Sequence, residues 1–308
     1  MGQYSATFRP VRDTSIQHQL SGAGTAWEAL DDIEADNNST YIFQPVNTDT
    51  TGQTVTTVIV LSGSIESTAA KIRIDSATLH IRTYNTSSSS GAGGSGSVKT
   101  NVTYEIEGKT GSGTASSSTT WTDRTISVDV SLFNNRIGAY EIPVTLATTG
   151  TRGTGAKSED FEGRITQVYL EVTYDNYYDV TVIQCGTGSI QPSVEVREGD
   201  SYDSINIVGT DHKVVHVFDG ETEVTDQCTH EQENVLYYVV SNVTTNREIK
   251  AIFDDYVEVF VKRNGVWLKG DKVFIKAGGA WSEQAPSIDT VISGVFEGKK
   301  LLIDGKLN

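Results

Sequence analysis

His212 and His216 have the four-residue spacing of a zinc-binding H-E-x-x-H helix, but Lys213 stands where the general-base glutamate belongs. The surrounding KVVHVF is rich in β-branched residues. On a strand, residues four apart sit roughly 13 Å from each other, too far for two imidazoles to share one metal at bonds of about 2 Å. Cys185, Cys228 and His230 add no C-x-x-C pair, so no zinc site is expected. Gly186-Thr187-Gly188-Ser189-Ile190-Gln191 starts like a dinucleotide fingerprint, yet Gln191 replaces the last glycine. Pro192 and another strand follow, where a helix N-terminus would have to meet the pyrophosphate. These glycines serve a tight turn, and no cofactor is expected.

Carboxylates are plentiful, at 40 Asp and Glu residues. Asp31, Asp32, Glu34 and Asp36 form the densest group. Asp32 and Asp36 fall on one face of a short helix, with Asn37 and Asn38 as further oxygen donors, a set that suits a hard cation such as calcium. The same residues make a solvated helix end with turn-forming Asp and Asn, and this is the preferred assignment. Glycoside hydrolysis needs two carboxylates across a cleft, one with a raised pKa, and no pair among the 40 is singled out. There is neither a G-x-S-x-G elbow nor a Cys-His family signature. The chain is therefore expected not to be an enzyme.

Binding has better material than catalysis. Sugars are held by aromatic faces flanked by a few polar groups, and sandwich loops are where such side chains are displayed. Trp121 lies in a Ser/Thr loop, whereas Trp267 and Trp281 each follow a glycine turn. These three are the candidate binding residues. Covering a small local core is the competing role, and it is stronger for the repeated pair.

Charge narrows the partners. A formal net charge of −16 and a pI near 4.7 argue against nucleic acid, because phosphate recognition needs clustered Lys and Arg. They equally disfavour an anionic membrane surface. No segment approaches the roughly 20 apolar residues of a membrane span. The opening MGQYSATFRPVRD has neither a basic n-region nor an apolar h-region, so no secretory signal is expected. Cys185 and Cys228 are expected as buried free thiols of a chain folded in a reducing cytoplasm, with a disulfide after lysis as the alternative.

The elements that must carry these residues are strands. Period-two alternation recurs at Ile72/Ile74, Ala77/Leu79/Ile81, Val102/Tyr104/Ile106, Ile126/Val128/Val130/Leu132 and Val168/Leu170/Val172/Tyr174. Strands with one wet face show this pattern. Residues 1–176 are thus expected to form one β-sandwich. The capping box Thr25-x-x-Glu28 predicts the one helix, near residues 26–34, with Trp27, Leu30 and Ile33 on one face. The Ser87–Ser97 run, GTASSSTTW and TTGTRGTGAKSED are expected as loops. Residues 177–255 form a second β module and residues 256–308 a third, in which V-F-V-K…G-V-W at 259–267 is echoed by V-F-I-K…G-A-W at 273–281 as paired hairpins.

Two resemblances suggest a setting. From Tyr178 to Asp255 the chain runs strand, Gly-x-Gly turn, Pro192, second strand, E-G-D turn, third strand, and closes on NVT…I-x-A-x-F. That order resembles the divergent internalin-type B-repeat of bacterial surface and phage virion proteins. RPVRDTSIQHQLSG, ADNNSTYI and GRITQVYLEVTYD resemble the N-terminal jelly-roll-like sandwich of tailed-phage virion proteins, and the C-terminal repeat resembles short modules of phage tail and fibre proteins. The resemblances imply an all-β, non-enzymatic component of a phage virion, such as a head or tail fibre or a decoration protein. They imply assembly in the host cytoplasm, other virion proteins as partners, and a homo-oligomer. A host-surface glycan-binding adhesion protein is the alternative. The building block is preferred because no aromatic cluster in the sequence is dense enough to announce a sugar site.

Overall fold

Apart from one-turn 3-10 helices at Val130–Phe133 and Thr225–Gln227, every regular element among the described residues is a β-strand. The chain is all-β, as its alternation predicts. The computed structural model describes residues 3–16, 19–21, 25, 27–30, 41–48, 53–90, 96–153, 158–209, 213–232, 234–253, 258–263, 266–270, 273–277, 280–284, 295–297 and 300–303. The chain divides into two compact units, Gly2–Asn176 and Tyr177–Asn308.

The first unit is a two-sheet sandwich. Its strands are β1 (Gln3–Ile16), β2 (Gln19–Leu20), β3 (Ile42–Thr48), β4 (Gln53–Ile65), β5 (Lys71–Ser90), β6 (Ser97–Ile106), β7 (Lys109–Ser116), β8 (Thr122–Ser127), β9 (Gly138–Thr151) and the early part of β10 (Ser158–Cys185). In one sheet β10 pairs with β5, β3 and the start of β1, while β8 and β2 extend it through β5 and β3. The other sheet runs β1–β4–β9–β6–β7. Strand β1 serves both: Gln3–Phe8 pair with β10 and Arg9–Ile16 with β4. A register shift between Pro10 and Arg12 marks the crossing, where proline's missing N–H is tolerated.

Alternation places Ile59, Leu61, Leu79, Ile81, Ile142, Val144, Leu146, Leu170 and Val172 in one continuous core, each no more than 2 % exposed. Each such side chain contributes about 1.5–3 kcal/mol by leaving water.

Several expectations are corrected by the fold. The capping box forms, with Thr25 N–H donating to Glu28 Oε2 at 2.7 Å and Glu28 N–H to Thr25 Oγ1 at 3.4 Å. Residues 27–30 are nevertheless a turn. Leu30 is fully buried and its carbonyl accepts from Val168 N–H at 3.1 Å, which ties the turn to β10; residues 31–34 of the expected helix lie outside the described residues. The 126–132 alternation is strand only to Ser127. Asp129 then accepts from Ser131 N–H at 2.9 Å and caps a 3-10 turn that buries Leu132 and Phe133. The expected loops are shorter: β5 reaches Ser90, β9 reaches Thr151, and β7 takes up Gly113–Ser116. In β7 the glycines are required, since a Cβ at Gly111 would sit 2.3 Å from the Tyr104 ring and one at Gly113 would sit 2.7 Å from Ile126. Backbone pairing carries these segments with little apolar side chain beyond the buried Ala115.

The second unit opens with the end of β10 and continues through β11 (Ser189–Ile190), β12 (Val194–Arg197), β13 (Tyr202–Val208), β14 (Val214–Asp219), β15 (Thr222–Glu223), β16 (Thr229–Gln232), β17 (Val235–Val240) and β18 (Arg247–Phe253). β18 lies parallel to β10 and antiparallel to β14, while β11–β13–β17–β16 form a second sheet. The turns at Gly186 (φ +101°) and Gly199 (φ +81°) fall where the glycine patterns predict them. The hairpins β19 (Glu258–Arg263)–β20 (Val266–Gly270) and β21 (Val273–Ala277)–β22 (Ala280–Gln284) follow, and β23 (Val295–Glu297) and β24 (Lys300–Ile303) pair, with β24 parallel to β19. No helix among the described residues is long and apolar enough to cross a membrane.

Candidate functional site

Trp121 sits in the short loop before β8, and the fold brings three more aromatics to it. Tyr84 on β5 lies 5.6 Å away by ring centroids, and Tyr41, just before β3, lies 5.8 Å away in an edge-on arrangement. Phe43 on β3 is 6.3 Å from Tyr41. All four are half-buried. The Arg164 guanidinium on β10 lies 5.2 Å from both the Tyr41 and Tyr84 ring centroids and is ion-paired with Glu162. Desolvation opposes the Arg164 charge, but the Glu162 hydrogen bond and carboxylate outweigh it and leave the pKa raised.

Strand phase explains why these side chains share the outer face of their sheet. Residues 79, 81, 83 and 85 point inward on β5, so 82 and 84 point out; on β10 residues 162 and 164 flank buried Gly163, and on β3 Phe43 lies between buried Ile42 and Gln44. The β3–β10 register sets Phe43 directly opposite Arg164. The loop bearing Trp121 is pinned by Asn85 N–H to the Ser118 carbonyl at 2.8 Å and by Thr122 Oγ1 to the Thr120 carbonyl at 2.9 Å. Tyr41 and Ser21 are tied together by hydrogen bonds of 2.9 and 3.1 Å.

Beneath the cluster the core turns polar. Gln44 donates to Thr57 Oγ1 at 2.9 Å and to the Leu146 carbonyl at 3.0 Å, and accepts from Thr148 Oγ1 at 2.6 Å. Thr148 meets Thr100 at 3.2 Å, and Thr100 donates to Asn85 Oδ1 at 3.1 Å. Gln44, Thr57, Asn85, Thr100 and Thr148 are all fully buried and come from both sheets. A Cβ at Gly163 would sit 2.3 Å from Thr148 Oγ1, so the glycine makes room for this layer. Buried networks satisfied in this way favour one alignment of the strands that carry them, here the strands bearing Phe43, Tyr84 and Arg164.

Farther along the same face, His80 stacks on Tyr169 at 4.5 Å with rings 2° from parallel, and Arg9 lies 5.4 Å from the Tyr169 centroid. His80 Nε2 is 3.0 Å from Glu171. Burial and the nearby Glu171 carboxylate raise the Tyr169 pKa. The rings of neighbouring strands are stacked on each other here, so this is a cross-strand ladder.

Of the predicted binding residues, Trp121 therefore joins a cluster. Trp267 and Trp281 lie in the other unit, at equivalent hairpin positions opposite Lys262 and Lys276. Asp32 and Asp36 lie outside the described residues, and among the described residues no His, Cys, Asp and Glu side chains gather as a metal site. Cys185 and Cys228 are free thiols. Burial pushes the Cys228 thiol up to about 11, which marks an inert structural cysteine. Sequence reasoning missed Tyr41, Phe43, Tyr84, Glu162 and Arg164. For Tyr84 a signal existed, an aromatic in the polar phase of the Ala77/Leu79/Ile81 alternation.

No protein family and no curated protein matches the chain. Among solved structures it is similar to TmCBM61 in complex with β-1,4-galactotriose, at 12% sequence identity and a TM-score of 0.27, over 55% of this chain and 86% of that one. At that score nothing about ligand or role passes from one chain to the other.

Proposed function

We propose that the sandwich is a non-catalytic carbohydrate-binding module. The observation that carries this is the convergence of half-buried Tyr41, Phe43, Tyr84 and Trp121 around the Arg164–Glu162 pair on one outer sheet face. Aromatic rings supply apolar area for the C–H face of a sugar, and a charged pair beside them fixes hydroxyl orientation. Glu162 is engaged by Arg164, which commits it to accepting hydrogen bonds and not to acting as a general acid. Probing a glycan array with the purified chain and with Tyr84→Ala tests the proposal. Signals for the native chain that vanish in the variant, at an unchanged thermal midpoint, are expected. Absence of signal on every glycan removes the proposal.

The setting is proposed from the sequence resemblances: attachment of a phage virion to a host-surface glycan. The preference for a pure building block rested on the lack of a dense aromatic cluster, and the assembled sheet provides one. Gene neighbours coding for capsid, tail and lysis proteins are expected, and a neighbourhood of metabolic genes would remove the virion part while leaving carbohydrate binding intact.

A further inference from the structure

We infer that the ligand of the aromatic cluster is an electrically neutral glycan, an inference that rests on the carbohydrate-binding proposal. Acidic sugars are held by cations free to take another carboxylate, most strongly by bidentate arginine. Both arginines flanking Tyr84 on this face are already matched. Arg164 is ion-paired with Glu162 and lies against the Tyr41 and Tyr84 rings. Arg82, two residues before Tyr84, directs Nη1 at both Asp123 oxygens, at 2.8 and 2.6 Å. A uronate or sialate seated here would meet Glu162 as a like charge or would have to displace it. The net charge of −16 adds repulsion of a polyanion at low ionic strength. Sugar hydroxyls find complementary groups. A carboxylate offers about four lone-pair sites, so Glu162 keeps acceptor capacity beyond Arg164, and the half-buried rings offer apolar faces.

An array carrying neutral oligosaccharides beside uronic- and sialic-acid glycans tests the inference at low salt. Signals confined to neutral glycans are expected. Binding to the acidic members overturns the inference and leaves carbohydrate binding standing, whereas silence across the array overturns both. Glu162→Gln provides the second arm, because it leaves Arg164 without its carboxylate and removes no ring. This variant should lose roughly tenfold or more in affinity for the neutral ligand, the worth of a charged hydrogen bond. It should also gain salt-sensitive retardation in gels cast with alginate. If Glu162→Gln keeps its neutral binding and migrates freely through alginate, pairing of Arg164 is not what selects the ligand, and the inference falls.

Discussion

The two outer faces of the sandwich come from strands with the same alternation, yet they carry different chemistry. Across β4, β9, β6 and β7 the outward positions hold Thr54, Thr56, Val58, buried Val60, Thr145, Ala147, Thr149, Asn101, Thr103, Ser112 and Thr114, with no aromatic side chain among the described residues. The opposite face carries the Trp121 cluster, the Arg82–Asp123 pair and the His80–Tyr169–Arg9 ladder. A solvated sheet face needs only β-formers that tolerate water, and threonine suffices. Aromatics on such a face lie outside the fold's main core, and the carbohydrate-binding proposal rests on the concentration of the Trp121 cluster on one side.

The comparison breaks most directly at Trp121. Trp121→Ala should lower glycan affinity roughly thirtyfold or more, the range of a central aromatic hot spot, with little change in the thermal midpoint. A large loss of stability with unchanged affinity would make the cluster a structural cover, and the two faces would then differ only in how they pack.

A smaller effect is expected inside. Thr148→Val keeps the shape but removes the donor to Gln44 Oε1 and the contact with Thr100. Leaving buried partners unsatisfied costs about 1–3 kcal/mol, read by chemical denaturation. Because this layer aligns the strands under Phe43 and Tyr84, the near-ultraviolet signal of the Trp121 cluster should weaken in the same variant while the outer face opposite stays unaffected.

Base separates the faces as well. The Tyr169 pKa is raised above its ordinary 10.0, first by burial and then by Glu171. A group with a raised folded-state pKa contributes stability that is fully present below its unfolded value and lost as pH climbs through the folded one. The sandwich should therefore lose stability above about pH 10, the unfolded tyrosine value. Tyr169→Phe should remove part of that slope in thermal melts across the alkaline range. An unchanged slope would show that the ladder is too solvated to matter.

How much of this was legible depends on what each residue does. The core positions at 72–81, 102–106 and 168–174 follow from alternation, because burial acts on each strand locally. Trp121 could be named, since a tryptophan in a Ser/Thr loop stands out. Its partners could not, for they come from strands more than thirty residues away on either side and meet only through the β3–β10 and β5–β8 registers. The polar layer was hidden for a different reason. Gln44, Asn85 and Thr148 occupy inward positions, where the pattern predicts apolar residues, and only the assembled sheets give them partners.

The smallest effect is expected one residue from the largest structural one. Thr149 follows Thr148 on β9 but faces outward, where its hydroxyl meets that of Thr54 at 2.9 Å. Water replaces that partner at once when the hydroxyl is removed, so Thr149→Val should stay within about 0.5 kcal/mol of the native chain, and valine's strand preference works in its favour. Glycan affinity should not move, because no residue of the plain face reaches the cluster through the core. Equilibrium denaturation and array binding of Thr148→Val and Thr149→Val side by side check the whole comparison. If the outward variant loses as much stability as the inward one, or any affinity, the plain face is coupled to the site and its threonines are more than a solvated surface.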